Sequence, residues 1–232
     1  MKMNKLSSAI LAATLTLTGA TATYAHEAGD IIVRAGFANV DPKDATTNDI
    51  DEVSALGANS NIAADGDTQL GLNFVYMLSD NIGVELLAAT PFEHDIQVSL
   101  ANTGTALDGT HNVGSTKHLP PTLSLQYYLF DKDASFRPYV GAGINYTWFF
   151  DESDGTNFDD LDLDDSIGLA FQAGVDVMLT DNLLFNASVY HIDIDTEATV
   201  KLDQSLPLGG EELHADVDID PMVYMVSLGY KL

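Results

Sequence analysis

The sequence has no cysteine, only two arginines (Arg34 and Arg137) and, beyond residue 25, no apolar run long enough for a membrane helix. The first absence excludes a disulfide framework and any thiolate metal site. The scarcity of base is general, with 9 lysines and arginines against 35 acids. Such a chain repels phosphate backbones, which are bound by displacing counterions with Lys and Arg, so nucleic acid is excluded as a partner. The third absence excludes a helical membrane protein. A secreted soluble domain or a β-barrel remains.

What is present begins with an export pattern. Lys2 and Lys5 precede an apolar stretch from Leu6 to Leu17, and Thr23-Tyr24-Ala25 forms a cleavage site. A signal peptide is expected over residues 1–25, leaving residues 26–232 as one domain. Without the two leader lysines the charge is 7 basic residues against 35 acidic, a net of −28.

From residue 29 onward, eight segments alternate apolar with polar or small residues, the period of a strand with one face in lipid. Ile31, Val33 and Phe37 share one face of the first; Leu70, Phe74 and Tyr76 share one face of the second. Ile144, Tyr146 and Trp148 close the fifth, and Tyr224, Val226, Leu228, Tyr230 and Leu232 run to the C-terminus in the last. No charge occurs on this face of any segment. A charge there costs a few kcal/mol near the bilayer midplane.

The connections separate a membrane barrel from a soluble sheet. Ser79-Asp80-Asn81, Asp131 to Ser135 and Thr180-Asp181-Asn182 are short, and they alternate with long links near 41–67, 91–116, 151–166 and 193–220. Short periplasmic turns and longer external loops alternate in this way in outer-membrane barrels. The external links hold 27 of the 35 acids. Asp151 to Asp165 alone has eight acids and no base, but Asp151-Glu152-Ser153-Asp154-Gly155 lacks the alternate spacing of a calcium loop. The expectation is a solvated acidic loop, with no metal site and no cofactor. The expected fold is therefore all-β: an eight-stranded antiparallel transmembrane β-barrel with short periplasmic turns and long acidic external loops.

The opposite parity looks into the lumen and carries Arg34, Glu85, Arg137 and Asp176. Buried charges persist when paired and hydrogen-bonded, so both arginines are expected to contact Glu85 or Asp176 as an ion-pair plug. Eight strands enclose side chains or one small ligand, too little space to pass ions or sugars well. The remaining inward residues include Leu87, Tyr128, Phe149, Tyr190 and Met225. Two readings of them are open: plain packing, or an apolar cavity open to the outside. Pro91 also has two readings. It lacks an N–H and interrupts the ladder, which either ends a strand or opens the wall sideways.

Several stretches resemble the outer membrane protein W family. They are Asn81-Ile82-Gly83-Val84-Glu85-Leu86-Leu87-Ala88-Ala89-Thr90-Pro91-Phe92, His118-Leu119-Pro120-Pro121-Thr122-Leu123, and Phe136-Arg137-Pro138-Tyr139-Val140-Gly141-Ala142-Gly143-Ile144-Asn145-Tyr146. His26-Glu27-Ala28-Gly29 and the closing Gly229-Tyr230 are similar too. The resemblance implies an integral barrel of the bacterial outer membrane, in contact with outer-membrane lipid and lipopolysaccharide and inserted by the barrel-assembly machinery. It implies a hydrophobic channel closed towards the periplasm. Small hydrophobic solutes would enter from outside and leave laterally at Pro91, with Leu87 and Tyr190 as the constriction. Tyr190 stands where the family usually has Trp.

No enzyme is expected, because a lipid-trimming barrel needs a Ser or carboxylate beside an outward His. By parity His118 points inward, His94, His111 and His214 fall in loops, and His191 sits at the rim without an outward Ser in its strand. The alternative to transport is a structural or receptor role for the acidic external loops.

Overall fold

The computed structural model describes residues 26–43, 59–101, 108–156, 158–204, 210 and 212–232; the leader expected over residues 1–25 lies outside them. Fourteen strands follow one another: β1 (Ile31–Asp41), β2 (Asn59–Ala64), β3 (Asp67–Met77), β4 (Ile82–Ala89), β5 (Phe92–Ala101), β6 (Gly109–Leu119) and β7 (Thr122–Tyr128), then β8 (Phe136–Asp154), β9 (Phe158–Leu163), β10 (Ser166–Met178), β11 (Leu183–Ile192), β12 (Asp195–Leu202), β13 (Glu212–Asp218) and β14 (Met222–Lys231). Eight of them close a barrel in the order β1-β3-β4-β7-β8-β10-β11-β14, every pair antiparallel, with β14 returning to β1 from Ile32↔Lys231 to Asp41↔Met222. Closure removes the sheet edges that lipid could not hydrogen-bond.

The period-two pattern decides which face meets lipid. Along β1, Ile32, Arg34, Ala38 and Val40 are buried while Ile31, Ala35 and Phe37 are exposed. Exposure reaches 65% at Phe37, 60% at Ile144 and 75% at Ile167. Apolar side chains that bare, on all eight strands, are stable only against acyl chains.

Two periplasmic turns are built alike. Ser79 Oγ accepts from the Ile82 amide at 3.1 Å, and Thr180 Oγ1 accepts from the Leu183 amide at 3.0 Å. Asn81 Nδ2 donates to the Tyr128 carbonyl at 2.8 Å, and Asn182 Nδ2 to the Lys231 carbonyl at 2.9 Å. Each hydroxyl–Asp–Asn triplet thus makes its own turn and ties it to the next strand, as turn-forming hydroxyl and amide side chains do.

The external links differ from the expected loops. They carry six strands of their own, so His94, His111 and His214 lie in β5, β6 and β13. β5 and β6 extend the wall above β4 and β7, pairing with each other, with β2 and with the long β8. β9, β12 and β13 form a second, three-stranded sheet. The cause is the same alternation as in the wall. In β13, Leu213, Ala215 and Val217 are buried between His214, Asp216 and Asp218. The outward positions are acidic where the wall has leucine, so this sheet stands in water. Lys201 of β12 bridges Asp160 at 2.9 Å and Glu212 at 3.4 Å. On β5 and β6 the outward face holds Glu93, Asp95 and Lys117, so lipid contact ends near Leu119 and its ladder partner Trp148.

Candidate functional site

The periplasmic half of the lumen is filled by one buried polar network centred on Glu85. Its carboxylate accepts from Arg34 Nη1 at 3.2 Å, Asn73 Nδ2 at 2.6 Å, Gln126 Nε2 at 2.7 Å, Gln172 Nε2 at 3.0 Å and Tyr190 OH at 3.2 Å. Arg34 also pairs with Asp176 and donates to Tyr128 OH at 2.8 Å. Asp176 is held in addition by Asn186 Nδ2 at 2.8 Å and His26 Nε2 at 2.8 Å. Six strands supply these groups at interlocking register positions, such as Arg34↔Asn73 and Val75↔Glu85. Gly141 makes room for the bridge to Glu85: a Cβ there would lie 2.8 Å from Gln172 Cγ. Hydrogen bonds in that number let charges persist in a low-dielectric interior, although Arg34 Nε and Asn73 Oδ1 are buried without a partner among the described residues. The network also fills the bore.

Arg137 corrects the sequence expectation. It lies opposite Asp176 in the β8–β10 ladder, yet its guanidinium donates to the carbonyls of His26 at 3.2 Å, Asp80 at 2.7 Å and Phe130 at 2.8 Å. Arg34 already occupies the inner side of Asp176, and the turn carbonyls at the periplasmic rim are the free acceptors within reach. Arg137 stacks on Tyr128, 4.8 Å from the ring centroid, and so ties the rim to the plug. Below the network Ile32, Val75, Met77, Tyr139, Met178 and Leu184 pack as a second seal.

Above the network the chemistry inverts. Tyr190, 1% exposed, turns its hydroxyl down to Asn73 at 2.9 Å and to Glu85, while its ring joins the upper apolar cluster. Leu87 belongs to the same cluster. Neither lines the cavity that follows; both lie in a packed layer beneath it. The cavity has a volume of about 80 Å³, enough for several heavy atoms. Its walls are aliphatic and aromatic, with Val40, Ile62, Val98, Phe149, Phe158 and Leu213 representative, and its polar liners are Lys43, His94, Thr116 and His118.

At the level of Leu87 the wall is broken. The β4–β7 ladder ends at Leu87↔Thr122, and the β5–β6 ladder begins at Phe92↔His118. Between them Ala88 to Pro91 faces Leu119 to Pro121, four residues against three, without a ladder pair. Antiparallel backbone groups point alternately to either side, so those of Ala89, Pro91 and Pro120 face the gap. Two of these three have no N–H. The Pro120 carbonyl bonds instead to Asn145 Nδ2 at 3.1 Å and Thr122 Oγ1 at 3.1 Å. β8 passes the break without losing register, with Tyr146 N donating to the Pro121 carbonyl at 3.1 Å. Ala88, Ala89, Leu119, Pro121, Tyr146 and Trp148 line a groove there on the outer wall. Thr122, Asn145 and the Pro120-Pro121 pair stand in the sequence stretches that carry the family resemblance, but no role at the break was read from them. The signal was available: consecutive prolines cannot sit in a continuous inner strand.

The sequence model of the OmpW family matches residues 27–232. The chain belongs to the OmpW family. It is 46% identical over 236 residues to outer membrane protein W of Vibrio cholerae serotype O1, with all of both chains covered. The crystal structure of the outer membrane protein OprG from Pseudomonas aeruginosa superposes with a TM-score of 0.78 at 44% identity, covering 90% of this chain and 98% of that one. A more distant relative, the dibenzothiophene metabolism operon protein PahQ of Pseudomonas aeruginosa, is 27% identical over 166 residues, covering 72% of each chain. The protein is an integral β-barrel of the bacterial outer membrane.

Proposed function

We propose that the barrel admits small hydrophobic molecules from outside and releases them sideways into the membrane through the gap between β4–β5 and β6–β7. The observation that carries this is the position of the break. An apolar cavity ends on a packed layer, a dense polar network closes the way to the periplasm, and the wall opens beside that layer. A solute bound above the layer meets ion pairs below and lipid to the side, and an apolar solute partitions to lipid. Leu87 and Tyr190 form the constriction, Pro91 with Pro120 keeps the exit open, and Arg34, Glu85, Asp176 and Arg137 close the bottom. The operon name of PahQ supports the class of solute, since dibenzothiophene is an apolar fused aromatic.

The test is uptake of toluene by cells carrying the protein, a Leu87→Asp variant or no barrel. Folding is checked by the heat-dependent mobility of the barrel in gels. Leu87 is 5% exposed, so a carboxylate there stands in the apolar layer. Faster uptake by the wild-type barrel, lost in the folded variant, is the expected outcome. Equal uptake in all three would overturn the channel and turn attention to the acidic external sheet as a receptor surface.

A further inference from the structure

The polar atoms of the upper cavity are not scattered. His94 and His118 sit side by side on β5 and β6, directly above the wall break, with Thr116 opposite His94 in the ladder. Their outward neighbours Glu93 and Lys117 place this part of the wall above the lipid. His94 Nε2 lies 2.8 Å from His118 Nε2, and the rings stack with centroids 4.9 Å apart. Phe92 and Phe149 flank the His118 ring at 5.5 and 5.7 Å.

The hydrogens in this pair follow from its far end. His94 Nδ1 bonds to the Asp65 carbonyl, which only accepts, so Nδ1 carries a proton. With that proton on Nδ1, His94 accepts at Nε2, and the proton between the rings belongs to His118 Nε2. His118 Nδ1 is left as a bare lone pair. Among the described residues it is buried without a hydrogen-bond partner. Burial, and after it the neighbouring His94, drive this imidazole down to about 3, so it stays neutral. An unmet buried acceptor costs about 1–3 kcal/mol, and every other polar group beside it is already bonded or at the cavity mouth.

We propose that His118 is a specificity-determining residue of the channel, accepting a hydrogen bond from a small apolar molecule that carries one hydroxyl, such as a phenol or an alkanol. The class is narrow because the vacant atom accepts and does not donate: hydroxyls meet it, whereas ketones, esters and ethers do not. The hydroxyl docks on the β5–β6 wall, the apolar body fills the aliphatic cavity, and the gap lies directly below. This inference rests on the channel reading and adds the chemistry of its solute.

The test is binding of phenol and toluene, a pair of nearly equal shape, to the full barrel in detergent micelles. NMR follows both the cavity methyls and the ¹⁵N signal of His118. Each solute is compared between wild type and His118→Phe, so its partition into micelles cancels. The aromatic replacement suits a ring already flanked by Phe92 and Phe149. Phenol binding is expected to weaken about tenfold in the variant, with toluene unchanged, the fold-change of one buried hydrogen bond. In wild type, phenol and not toluene shifts the Nδ1 signal, a readout that holds even if the variant folds poorly. Equal effects of the substitution on both solutes, or a still Nδ1 signal, would overturn the role of His118 and leave the channel standing. Cavity methyls that respond to neither solute would overturn the channel itself.

Discussion

The two halves of the lumen come from one strand pattern and hold opposite chemistry. In the periplasmic half, inward positions are Arg34, Asn73, Glu85, Gln126, Gln172 and Asp176, joined in one hydrogen-bonded network in which Arg34 Nε and Asn73 Oδ1 are buried without partners among the described residues. In the external half, inward positions are mostly aliphatic or aromatic, and among the described residues His118 Nδ1 is buried without a partner. Tyr190 joins the two, with a hydroxyl in the lower and a ring in the upper. Dense polar contacts close a bore against water without a moving gate, whereas an underfilled apolar space invites a solute. The difference lies in packing completeness as much as in polarity.

The largest expected effect breaks the lower half. Arg34→Ala leaves Glu85 and Asp176 buried without their shared cation, a loss of about 3–5 kcal/mol. Equilibrium unfolding in urea with lipid vesicles measures it. A loss below about 1 kcal/mol would mean that water enters the plug, and the contrast between the halves would fail.

The next effect belongs to the upper half and depends on pH. The His118 imidazole has its folded value lowered from 6.5 to about 3, chiefly by burial, with His94 adding to the effect and Asp67 opposing it. The unfolded chain therefore binds a proton that the folded barrel refuses. The stabilisation from this group is full above pH 6.5 and is lost as pH falls from there towards 3. By pH 5 the loss is about 2 kcal/mol. His118→Phe removes this component, so the difference between the two unfolding profiles isolates it. Parallel profiles would show that water reaches the ring.

Tyr190→Phe separates the two faces of the junction. It withdraws a hydroxyl from Asn73 and Glu85, costing about 1–2 kcal/mol, and leaves the apolar ring in place. Toluene uptake should be unchanged while stability drops. If uptake rises, the hydroxyl holds the constriction shut and the two halves are coupled.

The barrel was legible in the sequence because lipid leaves it little choice. A single outward charge would have broken the pattern on any wall strand, and the short turns carry their own hydroxyl and amide groups. Arg34 with Glu85 and Asp176 was legible for the same reason, as inward parity leaves buried charges few partners. Arg137 was not, because its acceptors are backbone carbonyls of turns, to which parity does not speak. The external strands were hidden by their acids. Counting Asp and Glu over 193–220 conceals that Leu213, Ala215 and Val217 keep the same period as the wall. His94 and His118 are 24 residues apart and meet only because β5 and β6 pair across a hairpin. Spacing alone does not announce such a pair.

The smallest effect on stability tests the exit. Pro91→Ala with Pro120→Ala restores the two missing N–H donors that face the gap. Each new rung contributes about 1 kcal/mol, and each lost proline frees the unfolded chain by about 0.4–1 kcal/mol. The net change therefore stays within about 1 kcal/mol. Uptake should nevertheless fall severalfold, because the rungs draw β4–β5 towards β6–β7 across the groove beside Leu87. The one-residue mismatch between the two edges remains, so closure is partial. Amide hydrogen exchange at positions 91 and 120 reports whether the rungs have formed. Protected amides with uptake undiminished would mean that the prolines only divide strands and that solutes leave elsewhere. Protected amides with slowed uptake would place the exit between two edges whose missing donors keep them apart.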